Sequence, residues 1–392
     1  MRPIRSVTLS ALTAVALVFS ASACASEDGS TGDVEEIIIG ADLELSGPTA
    51  DIGNAYSRAL ELKISQVNES GILGNRKLKL DAKDNRSDSS RSLTNVGAFA
   101  NNPAVAAIVM GTCAECVSKV ADTVKIPTIA LAPAGNVVLP IAKRRWIFKV
   151  GPNASDNAAA LTAEITADRA NKKVGVLYTD DAYGKEGLDA LTDALGGAGI
   201  SLDDAALTQK VKPTATTDVS QAMEALLAQD LDAIVVWTLA EQAALAASTA
   251  KQQKFAGSLF FDGAAAGDLF LSGQAATNGA TMVFTQTMVI DDVIATTPAT
   301  AARKQWFRDY TAKYGSYYGF SSFAADAVQM VTNALQQSTS LNRESIRSIV
   351  ETSQFDGLSG PIRITPDNHS GLMPQALTVL VARNGRWRLS TG

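Results

Sequence analysis

Two cysteines separated by two residues are the first side chains in this sequence that could do chemistry. Cys113 and Cys116 lie in the stretch Gly-Thr-Cys-Ala-Glu-Cys, directly after an apolar run over residues 104–110. Thiols at the start of a helix can form a redox centre, half of a metal site, a disulfide, or part of a loop that holds a ligand. The choice depends on the compartment and on the residues around the loop.

The residue combinations that would indicate an enzyme are missing from the sequence. Its single histidine, His369, lies in a segment rich in Pro, Asn, Asp and Gly, which predicts a surface turn. One histidine cannot build a histidine-rich zinc site, and no Gly-x-Ser-x-Gly elbow, phosphate loop or dinucleotide fingerprint is present. Paired acids such as Asp180-Asp181 are ordinary at loop ends, where carboxylates are solvated or cap helices. We therefore expect no enzymatic activity, no cofactor and no metal.

The N-terminal residues are typical of an export signal. Two arginines precede an apolar stretch over residues 7–19, which is too short to span a bilayer. Small residues and then Cys24 follow, as in a bacterial lipoprotein box; an ordinary secretory signal cleaved near Cys24 is the alternative. We predict a lipoprotein signal over residues 1–23, lipid attachment at Cys24 and a flexible tether over residues 24–36. The mature protein would then be periplasmic or lie on the outer face of the cell membrane, held by its lipid anchor.

The composition is that of a soluble globular protein with two or three domain-sized units. The chain has 392 residues, of which 46% are hydrophobic and 19% charged, and its net charge is -6. Binding to nucleic acid depends on Lys and Arg side chains that contact phosphates. The densest basic cluster is only Lys143-Arg144-Arg145. The sequence therefore argues against nucleic acid as a partner.

Short apolar runs alternate with helical periodicity along most of the chain. Ile37–Ala41 is an unbroken apolar run, as expected for a parallel strand covered on both faces, and residues 54–70 have helical spacing that ends at Gly71. A second series of similar length begins after Gly151 and includes a predicted strand near Ile200–Leu207. Repeated strand–helix units predict doubly wound parallel sheets. We therefore expect two α/β lobes of similar fold.

Several motifs, taken together in their order and spacing, resemble one family. They are Leu45-Ser46-Gly47-Pro48, Gly71–Arg76, Ile126-Pro127, Trp146–Lys149, and Tyr183-Gly184 with Gly187. They resemble the type 1 periplasmic solute-binding proteins of ABC importers, in particular the leucine/isoleucine/valine-binding family and its relatives for aromatic acids and amides. The resemblance covers about residues 37–390.

The resemblance implies an architecture and a set of partners. It predicts two doubly wound α/β lobes, the type 1 periplasmic-binding fold, joined by three hinge crossings. Lobe 1 would comprise residues 37–149 and 283–355, and lobe 2 residues 150–282 and 356–392. Ligands of such sheets bind beyond the carboxyl ends of the strands, where helix N-termini offer unpaired N–H groups. The family would deliver its solute to permease and ATPase subunits encoded elsewhere.

The resemblance also implies which residues bind the ligand. Relatives hold a ligand carboxylate with the loops after the third and fourth strands, which here contain Thr112, Cys113, Ala114, Ala132 and Ala134. Tyr183 is similar to a tyrosine that closes over the ligand. The remaining expected contacts are Ile52, Trp237, Asp262 and Phe320.

The ammonium half of an amino-acid site is less complete than the carboxylate half. The family's acid would fall near Ala264, and Asp262, two positions away, is either a substitute for it or a turn residue. An ammonium buried without a counter-charge is costly. The resemblance thus favours a branched-chain or other apolar amino acid, with a small aromatic acid or amide as the alternative. A ligand-sensing module for a membrane partner and a redox protein are the other two hypotheses.

Within this family resemblance, the two cysteines have a structural interpretation. Export permits a disulfide between Cys113 and Cys116, since Cys24 would be lipidated, and a metal would lack further ligands. A helix N-terminus lowers the pKa of a thiol, so redox reactivity stays open. The position of the loop favours an anion-holding wall of the cleft, stiffened by the disulfide.

Overall fold

The computed structural model describes residues 35–390, apart from residues 169, 171, 215 and 216. The predicted signal over residues 1–23 and the lipid attachment at Cys24 lie outside this part of the chain. Among the helices of the described part, none is long and apolar enough to cross a membrane.

The first lobe is built on a parallel sheet whose strands alternate with helices. Its elements are β1 (Glu35–Leu43), α1 (Ala50–Ser70), β2 (Arg76–Asp84), α2 (Ser89–Ala100), β3 (Val105–Met110), α3 (Ala114–Ala121), β4 (Thr128–Ala130) and β5 (Ile147–Lys149). The strand order is β2-β1-β3-β4-β5, and all pairings are parallel. Every residue of β3 is buried, because helices cover both faces of this central strand. The winding direction reverses between β1 and β3, which creates a crevice at their carboxyl ends.

The second lobe repeats this arrangement with a longer sheet. Its first elements are α4 (Ala154–Ala167), β6 (Val174–Thr179), α5 (Ala182–Gly197), β7 (Thr208–Val211), α6 (Ser220–Leu227), β8 (Ala233–Trp237), α7 (Ala240–Gln252), β9 (Ser258–Phe261), α8 (Asp268–Leu271), α9 (Gln274–Thr277) and β10 (Thr281–Thr285). The strands β6 to β10 are parallel, and β6 lies between β7 and β8. The second lobe therefore has its own crevice, at the carboxyl ends of β6 and β8.

The last part of the chain contributes to both lobes. Its elements are α10 (Pro298–Tyr314), α11 (Ser321–Gln337), α12 (Arg343–Val350), β11 (Gln354–Asp356), β12 (Pro361–Arg363), β13 (Leu377–Arg383) and β14 (Arg386–Leu389). α11 packs against α1, and α12 packs against α11 and β3. β13 pairs antiparallel with β10, and β14 with β13, at the edge of the second sheet. The fold class predicted from the sequence, two doubly wound α/β lobes, is confirmed.

Two details of the second lobe differ from the sequence-based expectation. The strand expected near Ile200–Leu207 is instead β7, because Asp204 accepts a hydrogen bond from the N–H of Ala206 (2.9 Å) and starts a 3-10 turn over Ala205–Leu207. The expected boundary between residues 282 and 283 falls inside β10. All residues of β10 pair with β13, so the chain leaves the second lobe after Thr285.

The segment around His369 is hydrogen-bonded to the end of β5, where the chain leaves the first lobe. The N–H of Lys149 donates to the carbonyl of His369 (2.9 Å), and the N–H of Gly371 donates to the carbonyl of Lys149 (2.7 Å). The buried Nζ of Lys149 donates to the carbonyls of Gly151 (3.0 Å) and Pro152 (2.6 Å). Burial lowers the pKa of Lys149 to about 7.

His369 is not the surface turn residue that the sequence predicts. The turn ends at Asn368, Ser370 then pairs with Lys149 at the end of β5, and the imidazole of His369 is fully buried. Its ring packs on Phe148 with centroids 4.5 Å apart, and its Nδ1 is 2.8 Å from the carbonyl oxygen of Ile147. His369 is therefore part of the hinge core.

Candidate functional site

A cavity of about 330 Å³ lies between the two lobes. Its wall comes from the loops that follow β1, β2, β3 and β4 in the first lobe and β6, β7, β8 and β9 in the second, together with Phe320 before α11. The crevices of both sheets thus open into one space, where ligands of open α/β sheets bind. The volume suits a small molecule.

Most of the ligand-binding residues expected from the sequence line this cavity. The lining includes Ile52, Thr112, Cys113, Ala114, Ala134, Tyr183 and Phe320. Ala132 lies outside the lining because it is buried in the first-lobe core. Trp237 also lies outside the lining. It is buried beside Gly187 on α5, and its ring centroid is 6.1 Å from that of Tyr183, which does line the cavity.

Asp262 is also outside the cavity lining. It is only 2% exposed, and its Oδ1 has no hydrogen-bond partner within the described residues. Burial raises the pKa of Asp262 well above its ordinary value. Ala264, the position where the family's acid was expected, does line the cavity.

A carboxylate of the protein itself occupies the N-terminus of α3. Glu44 follows β1 and is fully buried. Its Oε2 accepts hydrogen bonds from the N–H (2.9 Å) and the hydroxyl (3.1 Å) of Thr112, and its Oε1 accepts one from the N–H of Cys113 (3.2 Å). These are donors that the family resemblance assigns to a ligand carboxylate. Glu44 therefore fills the anion site expected for the ligand.

Glu44 fits this position through two neighbours. A Cβ on Gly111 would lie 2.1 Å from the Oε2 of Glu44, so a glycine is needed there. The Nδ2 of Asn85 donates to Glu44 and to the buried Asp42, at 3.1 Å in each case. Burial raises the pKa of Glu44, while hydrogen bonds from Thr112, Asn85 and Cys113 oppose the rise. Glu44 was not predicted as a site residue, although an acid between Leu43 and Leu45 at the end of an apolar strand indicates a special role.

The helices of the second lobe that face the cavity are capped as well. Asp181 accepts hydrogen bonds from the N–H of Gly184 (2.9 Å) and the hydroxyl of Thr179 (2.8 Å) at the start of α5. Gln242 accepts one from the N–H of Leu239 (3.2 Å) at the start of α7. Of the two ordinary roles considered for the paired acids, solvated or helix-capping, Asp181 has the second, and it also lines the cavity.

The ionisable residues of the cavity wall are all acidic. They are Asp51, Glu115, Asp181 and Glu241, and no Lys or Arg belongs to the lining. Asp51 accepts a hydrogen bond from the hydroxyl of Tyr318 (2.7 Å). Burial, and to a lesser degree the nearby Asp51, raise the pKa of Glu241. Asp51 and Glu241 were not predicted as site residues, because each follows a strand by several residues and belongs to no motif. Glu115 belongs to the Gly-Thr-Cys-Ala-Glu-Cys stretch but was not assigned a role.

Cys113 and Cys116 form a disulfide at the start of α3. Cys116 is 1% exposed and packs in the core of the first lobe, whereas Cys113 lines the cavity. The pair therefore braces the loop that carries Thr112. Within the described residues, no group of His, Cys, Asp and Glu is arranged to hold a metal ion.

One hydrogen bond joins the lobes beside the cavity. The N–H of Gly135, in the loop between β4 and β5, donates to the Oε1 of Glu186 on α5 at 2.6 Å. Glu186 lies three residues after Tyr183 on the same helix. This contact joins the two walls of the cavity directly.

Comparisons with known proteins agree with this architecture. A family model described as periplasmic binding protein matches residues 36–386. An extracellular ligand-binding receptor from Rhodopseudomonas palustris HaA2 is 23% identical, with a TM-score of 0.79 over 91% of this chain and 99% of that one. A leucine-binding protein from Thermotoga maritima MSB8 is 18% identical, with a TM-score of 0.76 over 91% and 98%. An ABC transporter substrate-binding protein from Desulfitobacterium hafniense, in complex with Leu, is 19% identical, with a TM-score of 0.71 over 91% and 100%.

Proposed function

Because the chain belongs to the periplasmic binding protein family, we propose that it captures a small solute outside the cytoplasm and delivers it to an ABC import permease. The observation that carries this proposal is the cavity between the lobes, whose wall is shared by the strand ends of both sheets. A solute bound there contacts both lobes at once, so binding favours their closure about the hinge. The permease and ATPase subunits are encoded elsewhere, and Cys24 holds the protein at the membrane.

The lining suits a solute with an apolar body. Ile52, Pro133, Ala134, Tyr183 and Phe320 supply apolar or aromatic surface. A leucine-binding protein and a substrate-binding protein in complex with Leu have the same fold, so leucine is the reference solute for tests. A branched-chain or other apolar amino acid is the ligand that the family suggests, and a small aromatic acid or amide is the alternative.

Solute binding is tested by thermal unfolding of the purified protein with a panel of amino acids, amines, organic acids and sugars. A ligand at 100 times its Kd should add about 2.7 kcal/mol to the free energy of unfolding. Replacing Tyr183 by Ala should reduce this gain, while Tyr178→Ala, on β6 outside the lining, serves as the control. A panel in which no compound raises the melting temperature would contradict the proposal.

Transport is tested separately in cells. Deleting the gene should abolish high-affinity uptake of the solute found in the panel, and restoring it should restore uptake. Replacing Cys24 by Ser should reduce uptake if the lipid anchor keeps the protein near its permease. Normal uptake in the deletion strain, together with binding in vitro, would favour the alternative role as a sensor.

A further inference from the structure

The charges around the cavity narrow the class of solute, an inference that rests on the proposed function. We propose that the cavity takes a small amine that has no carboxylate beside α3. Glu44 holds the place of such a carboxylate, and the cavity wall offers acidic groups to a cation.

A ligand carboxylate beside α3 would meet the negative charge of Glu44. The N–H groups of Thr112 and Cys113 already donate to Glu44. A second carboxylate at this place would lack those donors and be repelled by the first. The loop after β4 supplies no hydroxyl to compensate, because it consists of Ala132, Pro133 and Ala134.

At each of the two second-lobe helices that face the cavity, one backbone N–H group is already bonded to a side chain. The first turn of α5 donates to Asp181, and Leu239 before α7 donates to Gln242. α1 and α11 also begin at the cavity, without a side-chain cap, so it is the charges of the wall and not its helix N-termini that disfavour an anion. With no Lys or Arg in the lining, the cavity wall has no strong anion partner.

None of the four acids of the wall has a cationic partner within the described residues. Glu115 and Glu241 form no ion pair within the described residues, and both line the cavity. They belong to different lobes, since Glu115 is on α3 and Glu241 on α7. An ammonium between them would be attracted by both, so it would also draw the lobes together.

The buried Asp262 is an independent reason to expect a cationic ligand. Its carboxyl group is buried with one oxygen unpartnered, two residues before Ala264 in the cavity wall. Burial raises the pKa of this carboxyl group and so favours its neutral form. A cation in the cavity would favour its ionised form, whereas an anion would oppose it.

Isothermal titration calorimetry of the purified protein tests the proposal with matched compounds. One series is 3-methylbutylamine, leucine, 4-methylpentanoate and 4-methylpentanamide; the other is 2-phenylethylamine, phenylalanine, 3-phenylpropanoate and 3-phenylpropanamide. Within a series that binds, the amine should have a Kd at least about tenfold lower than the amino acid, the acid and the amide. An amino acid, acid or neutral amide that binds more tightly than its amine overturns the proposal.

The two levels of the hypothesis fail in different ways. If neither series binds but another compound without an amine does, the inference is wrong and the proposed solute capture stands. If another amine binds, its carboxylated analogue should bind at least about tenfold more weakly, and equal binding overturns the inference. If no compound of any class binds, the proposed function itself fails.

A variant then tests whether Glu44 is the cause. Glu44→Gln should shift the ratio of the two Kd values, amine to amino acid, by about tenfold or more in favour of the amino acid. Glu36→Gln, which removes the same charge from an exposed position on β1, should leave the ratio unchanged. A purely structural role of Glu44 would weaken both ligands alike, and an unchanged ratio overturns the proposal.

Glu241→Gln gives a second measurement if the first variant does not fold. It should raise the Kd of the amine about tenfold and leave that of any measurable amide unchanged. An unaffected amine would overturn the role of the acidic wall.

Discussion

The helices α3 and α5 face the same cavity from opposite lobes, and a carboxylate caps each of them. Asp181 immediately precedes α5, is half-buried, and accepts a hydrogen bond from Gly184 three residues later. Glu44 comes from the end of β1, 68 residues before Thr112, and is fully buried. The second lobe thus uses a local cap, while the first lobe uses a long-range contact within its core.

Both carboxylates accept N–H groups at a helix N-terminus, but the two arrangements require different amounts of surrounding structure. A local cap orders few groups and can be exchanged for another short polar residue. A buried long-range carboxylate needs a glycine, several donors and a strand end in register, and it fixes a negative charge beside the cavity. We therefore expect changes around Glu44 to affect both stability and ligand choice, and changes at Asp181 to affect mainly stability.

The largest effect is expected from Gly111→Ala. The new Cβ would lie 2.1 Å from the Oε2 of Glu44, so the carboxylate or the loop must move. Such overpacking should lower the free energy of unfolding by about 3 kcal/mol. Gly97→Ala is the matched control, because nothing lies within 4 Å of its Cβ on α2, and it should be neutral or slightly stabilising. Urea unfolding measures the stability of both variants. Equal stabilities of Gly111→Ala and Gly97→Ala would contradict the close packing of Glu44 on Gly111.

A smaller effect, dependent on pH, is expected from Glu44→Gln. The amide leaves one buried N–H of α3 without an acceptor, which should cost about 2 kcal/mol. Burial raises the pKa of Glu44 in the folded protein above 4.5, so folding favours its protonated form. This contribution of Glu44 is complete below about pH 4.5 and is lost as the pH rises through the folded-state pKa. The deficit of the variant should therefore shrink between pH 4.5 and 8, and urea unfolding at both pH values checks it. A deficit that grows with pH would contradict this account.

The smallest effect is expected from Asp181→Ala. Loss of the cap on α5 should lower the free energy of unfolding by about 1 kcal/mol, and Asp181→Ser should recover most of it. Thermal unfolding of the two variants and the wild-type protein measures this difference. If Asp181→Ala lowers the free energy of unfolding as much as Gly111→Ala does, the expected difference between the two caps is wrong.

The same contrast explains what could be predicted from the sequence. Unbroken apolar runs such as β3 and the periodicity of α1 depend on neighbouring residues, and they predicted two α/β lobes. The role of Asp181 as a cap depends on the next few residues and was equally accessible. The pairing of Glu44 with Thr112 depends on the register of β1 against β3, which local patterns do not contain. His369 was misplaced for a related reason, since its burial accompanies the pairing of the next residue, Ser370, with Lys149 at the end of β5.

The hydrogen bond between Gly135 and Glu186 has a consequence for the empty protein. Because both partners belong to the protein and lie on different lobes, the bond stabilises the closed arrangement whether or not a solute is bound. A larger closed share strengthens solute binding, since less free energy is spent on the conformational change. A permease that recognises the closed form would then also receive molecules with no cargo. Affinity for the solute and fidelity of delivery therefore place opposite demands on this one contact.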